Sequence, residues 1–381
     1  MMFTETQTLI QETARSFAQD VLLPGAAARE KNQAIEPDVI AQMGALGFLG
    51  ITVAEEHGGV GADYTSYALA LMEIAEGDGA VSTMMSVHNA PFCAVLETYG
   101  TRQQCQDWLR PAAAGDFIGC FGLTEAHTGS DAKAIKTSAQ KTSAGYVLNG
   151  SKQFITSARI GGSTIVFAVT DPDAGKAGLS AFYVPNDTPG FTVGVPEEKL
   201  GQKASDTCAL TFDDMVISAD MMLGQEGHGL SIALSSLETG RIGIAAQSVG
   251  MAQAALSYAA RYALDRKSFG KPIFQHQAIA FKLAEMDAQI EAARQLVLSA
   301  AAVKDNGRPC LREASIAKLI ASEVAERVCS DAIQILGGYG YLSDYPVERI
   351  YRDVRVCQIY EGTSEIQKIN ISRELAKRYA Q

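Results

Sequence analysis

The apolar pattern of the chain changes its period twice, and this change constrains the fold more than any other feature. Residues 1–116 carry helix-compatible apolar spacing, residues 117–225 form short runs rich in Val, Ile, Phe and Thr, and residues 226–381 return to helical spacing. Short β-branched runs favour strands, and a 3.6-residue period favours helices. The sequence therefore predicts a multi-domain α+β protein with a helical N-terminal domain (1–116), a β domain (117–225) and a helical C-terminal domain (226–381).

Local signals refine this prediction. Within the β region, residues 148–150 (Leu-Asn-Gly) and 188–190 (Thr-Pro-Gly) are predicted as turns. Residues 334–341 are predicted to end a helix, because glycines follow an apolar run there. Two helical faces are predicted in the C-terminal region. The first comprises Leu230, Leu234, Leu237 and Arg241, and the second comprises Ile279, Leu283, Met286, Ile290, Ala293 and Val297.

Charge and composition exclude several classes of function. Lys and Arg total 32 and Asp and Glu total 43, which gives a net charge of −11. Such a charge repels nucleic acid and anionic lipid, so neither is expected as a partner. No segment reaches the roughly 18 uninterrupted apolar residues of a membrane-spanning helix. The N-terminus resembles neither a signal peptide nor a transit peptide, which predicts a cytoplasmic protein.

Metal and common nucleotide sites are not indicated. The seven cysteines are scattered and form no CxxC motif, so they are predicted to be buried thiols in a reducing compartment. The five histidines have no ligand-like spacing, and no metal is predicted. The motifs G-x-G-x-x-G, G-x-x-x-x-G-K-[ST], H-E-x-x-H and G-x-S-x-G do not occur. A cofactor would have to be held in another way.

Two segments of the β region could hold a ligand. Residues 122–131 are rich in small residues and hydroxyls that let backbone N–H groups approach an anion or a ring edge. Phe154 and Thr156 are two positions apart, which places both on one face of a strand. From the residues alone, a plain polar loop and a half-buried strand fit these segments equally well or better.

A third segment, residues 359–367, contains a carboxylate in unusual surroundings. Ser364 and Gln367 fit a capping box that opens the last helix. Glu361 lies just ahead of it, between Tyr360 and Gly362. From the residues alone, Glu361 fits either a catalytic base or an exposed loop glutamate.

Together these segments resemble the acyl-CoA dehydrogenase family, in the same order and spacing through essentially the whole chain. The resemblance implies an FAD flavoprotein with a helical N-terminal domain, a middle β-barrel and a C-terminal four-helix bundle, assembled as a homotetramer. Residues 238–247 and 85–89 resemble the short-chain and short branched-chain subgroups. Met84 and Met85 fit the floor of an acyl pocket, although methionine on a helix is more often plain core.

The resemblance implies two sets of FAD-binding residues. The first, for the flavin ring, comprises Phe121, Leu123, Thr124, Gly129, Ser130, Phe154, Ile155 and Thr156. The second, for the diphosphate and adenosine, comprises Arg266, Phe269, Gln277, Gln334, Ile335, Leu336, Gly337, Gly338, Thr363, Ser364 and Glu365. In the family, some of these residues reach the cofactor of a neighbouring subunit.

The resemblance also implies the reaction. Glu361 matches the family's base, and the position that carries the base in a subgroup, directly before Arg241, is Gly240 here. Glu361 would remove an α-proton while a β-hydride passes to flavin N5, giving a trans-2-enoyl-CoA, and electrons would then pass to electron-transfer flavoprotein. The residues matching acyl-CoA-binding positions are Ser130, Glu238, Thr239, Gly240, Arg241 and Gly362.

Two alternatives keep the fold. One is an acyl-CoA oxidase or nitroalkane oxidase, and an Asp at position 361 would favour the latter. The other is a non-catalytic flavin-binding relative, which a basic C-terminal surface or an added domain would favour.

Overall fold

The computed structural model describes residues 3–380. Its N-terminal part is helical and ends at Ala114. The helices are α1 (Glu5–Phe17), α2 (Leu23–Asn32), α3 (Pro37–Ala45), α4 (Tyr64–Gly77), α5 (Gly79–Val87), α6 (Ala94–Tyr99), α7 (Arg102–Gln104) and α8 (Arg110–Ala114). Three short π-helical segments continue α1, α5 and α7, at Ala18–Leu22, His88–Cys93 and Cys105–Leu109.

An eight-stranded sheet follows. Its strands are β1 (Ile118–Gly122), β2 (Ser138–Thr142), β3 (Gly145–Thr156), β4 (Gly161–Val169), β5 (Leu179–Pro185), β6 (Phe191–Val193), β7 (Thr207–Ile217) and β8 (Met222–Leu223). The strand order is β6-β7-β3-β2-β4-β5-β8, and β1 pairs in parallel with β4. Most other pairs are antiparallel, and three of them join consecutive strands: β2–β3, β4–β5 and β6–β7.

The turn predicted at residues 148–150 is wrong. Asn149 and Gly150 lie inside β3, and the hairpin that joins β2 to β3 turns at residues 143 and 144 instead. The pairing register of β3 with β7 shifts between Leu148 and Gly150, and Gly150 has a φ of 143°. The Asn-Gly pair therefore makes a bulge that bends a long strand, which is the other common use of glycine in a sheet. At residues 188–190 a turn is present as predicted.

Five helices form the C-terminal part: α9 (Gly229–Asp265), α10 (Gln277–Asp305), α11 (Leu311–Leu336), α12 (Pro346–Val354) and α13 (Ser364–Tyr379). A short hairpin, β9 (Lys267–Ser268) with β10 (Lys271–Pro272), joins α9 to α10. The predicted face of α10 is confirmed, because five of its six residues are buried and Ile279 packs at the edge. The four residues predicted to share a face of α9 all lie in that helix, but Leu234 is 49% exposed.

The order of helical, β and helical segments is confirmed. The domain limits at 116/117 and 225/226 stay predictions; α8 ends at Ala114, β1 begins at Ile118, β8 ends at Leu223 and α9 begins at Gly229. As predicted, α11 ends at glycine, with Gly337 in the left-handed region as its C-cap.

The core joins the two helical parts. Helix α9 packs against α4 of the N-terminal part and against α10 and α11, so its 37 residues are buried for much of their length. All seven cysteines are buried free thiols, as predicted. Over residues 3–380, none of the helices combines the length and the apolar character needed to cross a membrane.

Candidate active site

Glu361 lies in a strained turn between α12 and α13. Its φ is 54°, a left-handed value that is uncommon for a residue with a side chain, and Gly362 follows with a φ of 91°. The carboxylate atom Oε2 is buried and has no hydrogen-bond partner among the described residues. It faces Gly240 of α9 so closely that a Cβ at position 240 would overlap it. Strain and an unpaired buried polar atom at one residue are typical of a functional site.

The electrostatics of this carboxylate are set by burial and two cations. Burial raises the pKa of Glu361 to about 7, while Arg241 and Lys318 act in the opposite direction. Arg241 is 3% exposed, and its buried Nε and Nη1 atoms have no hydrogen-bond partner in the described part of the chain. Burial also lowers the pKa of Arg241. The site therefore holds a carboxylate that can gain or lose a proton near neutral pH, as a general base requires.

Buried side chains fix the backbone on both sides of Glu361. Before it, the Tyr360 hydroxyl donates to Gln247 Oε1 at 2.6 Å, and Gln247 in turn donates to the Gly79 carbonyl at 2.9 Å. After it, the Gly362 carbonyl accepts from Lys318 Nζ and from Gln367 Nε2, both at 2.7 Å. The turn is thus tied to α5, α9, α11 and α13.

The predicted capping box at Ser364 is wrong. The N-cap of α13 is Thr363, whose hydroxyl accepts from the Ile366 amide, and Ser364 is the first helical residue. Gln367 is at the N4 position and turns back to the Gly362 carbonyl instead of to an N-cap amide. The Ser364 hydroxyl is buried and has no hydrogen-bond partner within residues 3–380, and Glu365 is exposed.

Of the four predicted acyl-CoA residues on α9, Gly240 and Arg241 lie near Glu361, whereas the side chains of the other two are engaged elsewhere. Glu238 Oε1 accepts from the Cys310 amide at 2.8 Å at the start of α11. The Thr239 hydroxyl donates to the Ser236 carbonyl within its own helix. Of this group, Gly240 faces the Glu361 carboxylate, and the Arg241 guanidinium acts on that carboxylate electrostatically.

The first predicted FAD set is brought together by β1, β3 and the loop between β1 and β2. The Gln153 amide donates to the Thr124 carbonyl at 2.9 Å, and the buried Lys152 ammonium contacts Glu125 Oε1 at 2.8 Å and the Leu123 carbonyl at 3.3 Å. Phe121 is half-buried in β1 and Leu123 is buried, whereas Gly129 and Ser130 are exposed. This geometry holds the loop against the end of β3.

A bulge displays Phe154 at that end. The register of β3 shifts between Lys152 and Ile155, and Phe154 has a φ of 60°, so strand alternation does not hold there. Ile155 is buried, while Phe154 is 61% exposed and Thr156 is half-buried. The end of β3 therefore leaves an exposed flat apolar ring and, two residues on, a partly accessible hydroxyl.

The second predicted FAD set divides into two places. Arg266 lines a cavity of about 400 Å³ together with Ile335, Leu336, Gly337 and Gly338. Gln277, Gln334 and Phe269 are exposed outside the residues that line it, and Phe269 is 94% exposed. Thr363, Ser364 and Glu365 are instead beside Glu361.

Several site residues were not predicted from the sequence: Lys318, Gln247 and the pairing of Glu125 with Lys152. The sequence does offer an indication of Lys318, because Ala314, Ala317 and Ala321 mark its face of α11 as buried. A lysine within such an apolar face is rare without a partner or a function.

Comparison with known proteins agrees with this arrangement. Family models match in order: the acyl-CoA dehydrogenase N-terminal domain at residues 4–116, the middle domain at 120–215 and the C-terminal domain at 227–376. The mitochondrial short-chain specific acyl-CoA dehydrogenase of Bos taurus is 45% identical over 375 residues, 98% of this chain and 91% of the relative.

Solved structures agree as well. Butyryl-CoA dehydrogenase from Megasphaera elsdenii superposes with a TM-score of 0.97 at 42% identity, covering 98% of this chain and 99% of that one. A chain from the study of the electron transferring flavoprotein of Acidaminococcus fermentans, on flavin-based electron bifurcation, gives the same TM-score, identity and coverage. With three family models in order and close relatives along nearly its full length, the chain belongs to the acyl-CoA dehydrogenase family.

Proposed function

We propose that this protein is an FAD-dependent dehydrogenase that converts a short-chain acyl-CoA, linear or 2-methyl-branched, to the trans-2-enoyl-CoA. The observation that carries the proposal is the Glu361 carboxylate, which is buried, unpaired and aimed at the side-chain-free surface of Gly240. A base with a pKa near 7 in a space left open by glycine suits removal of a weakly acidic α-proton.

The residues present fit FAD. Phe154 offers an exposed flat apolar face, and Thr156 lies two residues away. The buried Ser364 hydroxyl beside Glu361 lacks a partner that a polar ligand would supply. The chemistry that FAD would supply there is acceptance of two electrons, as the hydride that leaves the β-carbon of the substrate.

The protein's own residues perform the other half of the reaction. Glu361 takes the proton from the α-carbon as the C–H bond breaks, and the double bond forms between the α- and β-carbons. No acceptor among residues 3–380 engages the backbone N–H of Glu361, so this donor is available to the thioester oxygen. Such a donor stabilises the enolate-like charge that develops on that oxygen. Arg241 favours the ionised form of Glu361 before reaction.

The contacts behind the base support a short acyl chain. One turn beyond Gly240 on α9, a Cβ at Gly243 would lie 2.6 Å from both the Tyr67 and the Ser86 oxygens. Tyr67 and Ser86 are fully buried and hydrogen-bonded to each other at 3.3 Å. Met84 and Met85 are also fully buried. This packing leaves little depth for a long tail.

Chain-length preference is the direct test of the function. Anaerobic bleaching of the bound flavin, followed across a panel of acyl-CoAs, should give a higher kcat/KM for C4 and C5 thioesters than for C12. Each buried methylene is worth roughly 0.8 kcal/mol, so refusal of several methylenes produces a preference of at least about tenfold. Faster turnover of C12 would contradict the short-chain proposal, and no bleaching with any thioester would contradict the dehydrogenase itself.

Re-oxidation of the reduced enzyme distinguishes a dehydrogenase from the oxidase alternative. We propose that electrons pass to electron-transfer flavoprotein, and the match to the chain from the Acidaminococcus fermentans study supports this partner. Mixing the reduced protein with electron-transfer flavoprotein should re-oxidise it much faster than mixing it with air-saturated buffer does. The opposite order would favour an acyl-CoA oxidase.

We also propose a homotetramer in which subunits share FAD. Arg266 is 26 residues after Gly240, at the far end of α9, which places it about 39 Å away along the helix axis. One FAD at Glu361 does not span that distance, so the Arg266 cavity serves the cofactor of a neighbouring copy. Phe269, just after α9, and Tyr341, just after α11, are strongly exposed, which is consistent with a surface that is covered in the assembly.

Oligomeric state and FAD content test this sharing together. The protein should sediment as a tetramer with one FAD per chain. Arg266→Ala should lower the FAD content while Lys133→Ala, an exposed change in the β1–β2 loop, should not. A monomer that retains one FAD per chain would contradict the shared site.

A further inference from the structure

Lys318 is a buried cation in need of an explanation. It is 0% exposed in the middle of α11, and its Nζ donates to the Gly362 carbonyl at 2.7 Å. No carboxylate oxygen among residues 3–380 lies within 4.0 Å of this ammonium. A buried charge without an ion-pair partner is costly, so such a residue is retained where it does something that an apolar side chain cannot.

The contact that Lys318 makes is to the peptide next to the base. The Gly362 carbonyl receives both Lys318 Nζ from α11 and Gln367 Nε2 from α13. These two donors fix the peptide that follows Glu361, whose own left-handed backbone is uncommon for a glutamate. Without them, nothing else described holds that carbonyl, and the turn could relax toward a more ordinary conformation.

Lys318 also contributes charge to the site. The charged and titratable groups that act on Lys318 are Cys357, Glu361, Arg241 and Glu365. Those that act on Glu361 are Arg241 and Lys318, both cations. Burial lowers the pKa of Lys318 to about 8, so the ammonium is still largely protonated at neutral pH.

We propose that Lys318 is a positioning residue for Glu361: it holds the Gly362 carbonyl, and with it the backbone of the base, while its charge favours the ionised carboxylate. Gln367 shares the first of these tasks but not the second, because its amide is neutral. This inference rests on the proposed function, since it assigns Lys318 a task only if Glu361 is the base.

Replacing Lys318 by Met removes the donor and the charge but keeps an unbranched side chain of similar length. Glu361 must be ionised to accept a proton, so activity falls as pH drops through its pKa. Loss of a nearby cation raises that pKa, and the acid limb of kcat/KM should move upward by about one pH unit. At pH 7 this alone lowers kcat/KM about fivefold. Lys318→Arg keeps the charge and should restore the limb.

Two further variants distinguish the effect of the Lys318 charge from the effect of fixing the Gly362 carbonyl. Gln367→Leu removes the other donor without altering charge, so it should lower kcat on the high-pH plateau and leave the acid limb in place. Lys368→Met, on the same helix as Gln367 but with an exposed ammonium 3.6 Å from Glu323, is the matched control and should change neither quantity. The infrared band of the protonated Glu361 carboxyl, identified by its loss in Glu361→Gln, gives the same titration without turnover.

The proposal would be overturned if neither the acid limb of kcat/KM nor the infrared titration of Glu361 moved in a folded, FAD-loaded Lys318→Met. If Lys318→Met does not fold, Gln367→Leu decides: a reduced plateau kcat with an unmoved limb supports the proposal, and an unchanged plateau overturns it. Glu361→Gln, assayed in parallel, separates a failure of the Lys318 proposal from a failure of the base assignment. If that variant stays active, the base assignment itself fails, whatever Lys318 does.

Discussion

Glu361→Gln should retain its fold, its FAD and its oligomeric state while losing flavin reduction by the substrate. Glutamine keeps the shape of the side chain and can still form hydrogen bonds, but it cannot accept the α-proton. A positioned base contributes about 10²- to 10⁴-fold to rate, which corresponds to roughly 3 to 5 kcal/mol of barrier. Stopped-flow absorbance of the flavin under anaerobic conditions, with the best substrate, measures this step directly.

The control is Glu323→Gln, a carboxylate on α11 that is 40% exposed and pairs with Lys368 at the surface. It should reduce its flavin at the wild-type rate. If Glu361→Gln, yellow and correctly assembled, reduced its flavin within about tenfold of wild type, the base would have to be another group. Glu238 is the nearest alternative in the sequence, although its Oε1 is occupied by the Cys310 amide.

The order of helical and β segments could be predicted from apolar periodicity, because burial of one face of each element imposes that periodicity. The six apolar positions predicted on α10 are spaced so that one stripe faces α9 and α11, and that stripe is the one the fold covers. Leu234 is exposed because the covered side of the first turns of α9 is the one that carries Ile232, Ala233 and Ser236, which are buried. Apolar spacing indicates a helical face but not whether the fold covers that face.

The errors near the site have two physical causes. Asn149-Gly150 and the segment 152–155 are β-bulges, which depend on a register set by a distant strand, β7. The cap of α13 moved from Ser364 to Thr363 because the Gln367 side chain is used by the Gly362 carbonyl. The bulges therefore need a long-range partner that local rules do not supply, and the cap is decided by a competing contact five residues away.

Glu361 also shows the difference between what a local motif contains and what the packed structure adds. The resemblance pointed to Glu361 and to the glycine at position 240, and the structure places these two residues against each other. The residues that fix the turn, Lys318 and Gln247, come from helices about 43 and 114 positions earlier in the chain. No motif around Glu361 contains them, so only the packed structure brings them to the site.

The largest expected effect on stability concerns the buried pair of Lys152 and Glu125, which ties the loop after β1 to β3. Both side chains are almost fully buried, and their atoms are 2.8 Å apart. Glu125 also accepts from the Lys136 amide, the Thr137 amide and the Thr137 hydroxyl. Although burial alone would raise its pKa, Lys152 and these donors hold the pKa of Glu125 below its usual range.

Lys152→Met should lower the free energy of unfolding by about 3 to 5 kcal/mol, because it leaves an ionised carboxylate buried without its cation. The remaining donors to Glu125 favour the lower end of that range. FAD content should fall as well, since Leu123, Thr124 and Ile155 of the first predicted FAD set belong to the two segments that the pair joins. Urea unfolding followed by circular dichroism, together with the flavin absorbance of the purified protein, measures both effects.

Two comparisons show whether the burial of the pair is responsible. Lys141→Met breaks a pair between β2 and Glu226 that has the same 2.8 Å separation but is largely exposed, so it should change the free energy of unfolding far less than Lys152→Met does. Glu125→Gln combined with Lys152→Met removes the unpaired charge and should recover much of the lost stability. If the double variant were less stable than Lys152→Met by the full effect of Glu125→Gln alone, the two residues would not be coupled, and the loop would have to be held by the Gln153–Thr124 backbone contact instead.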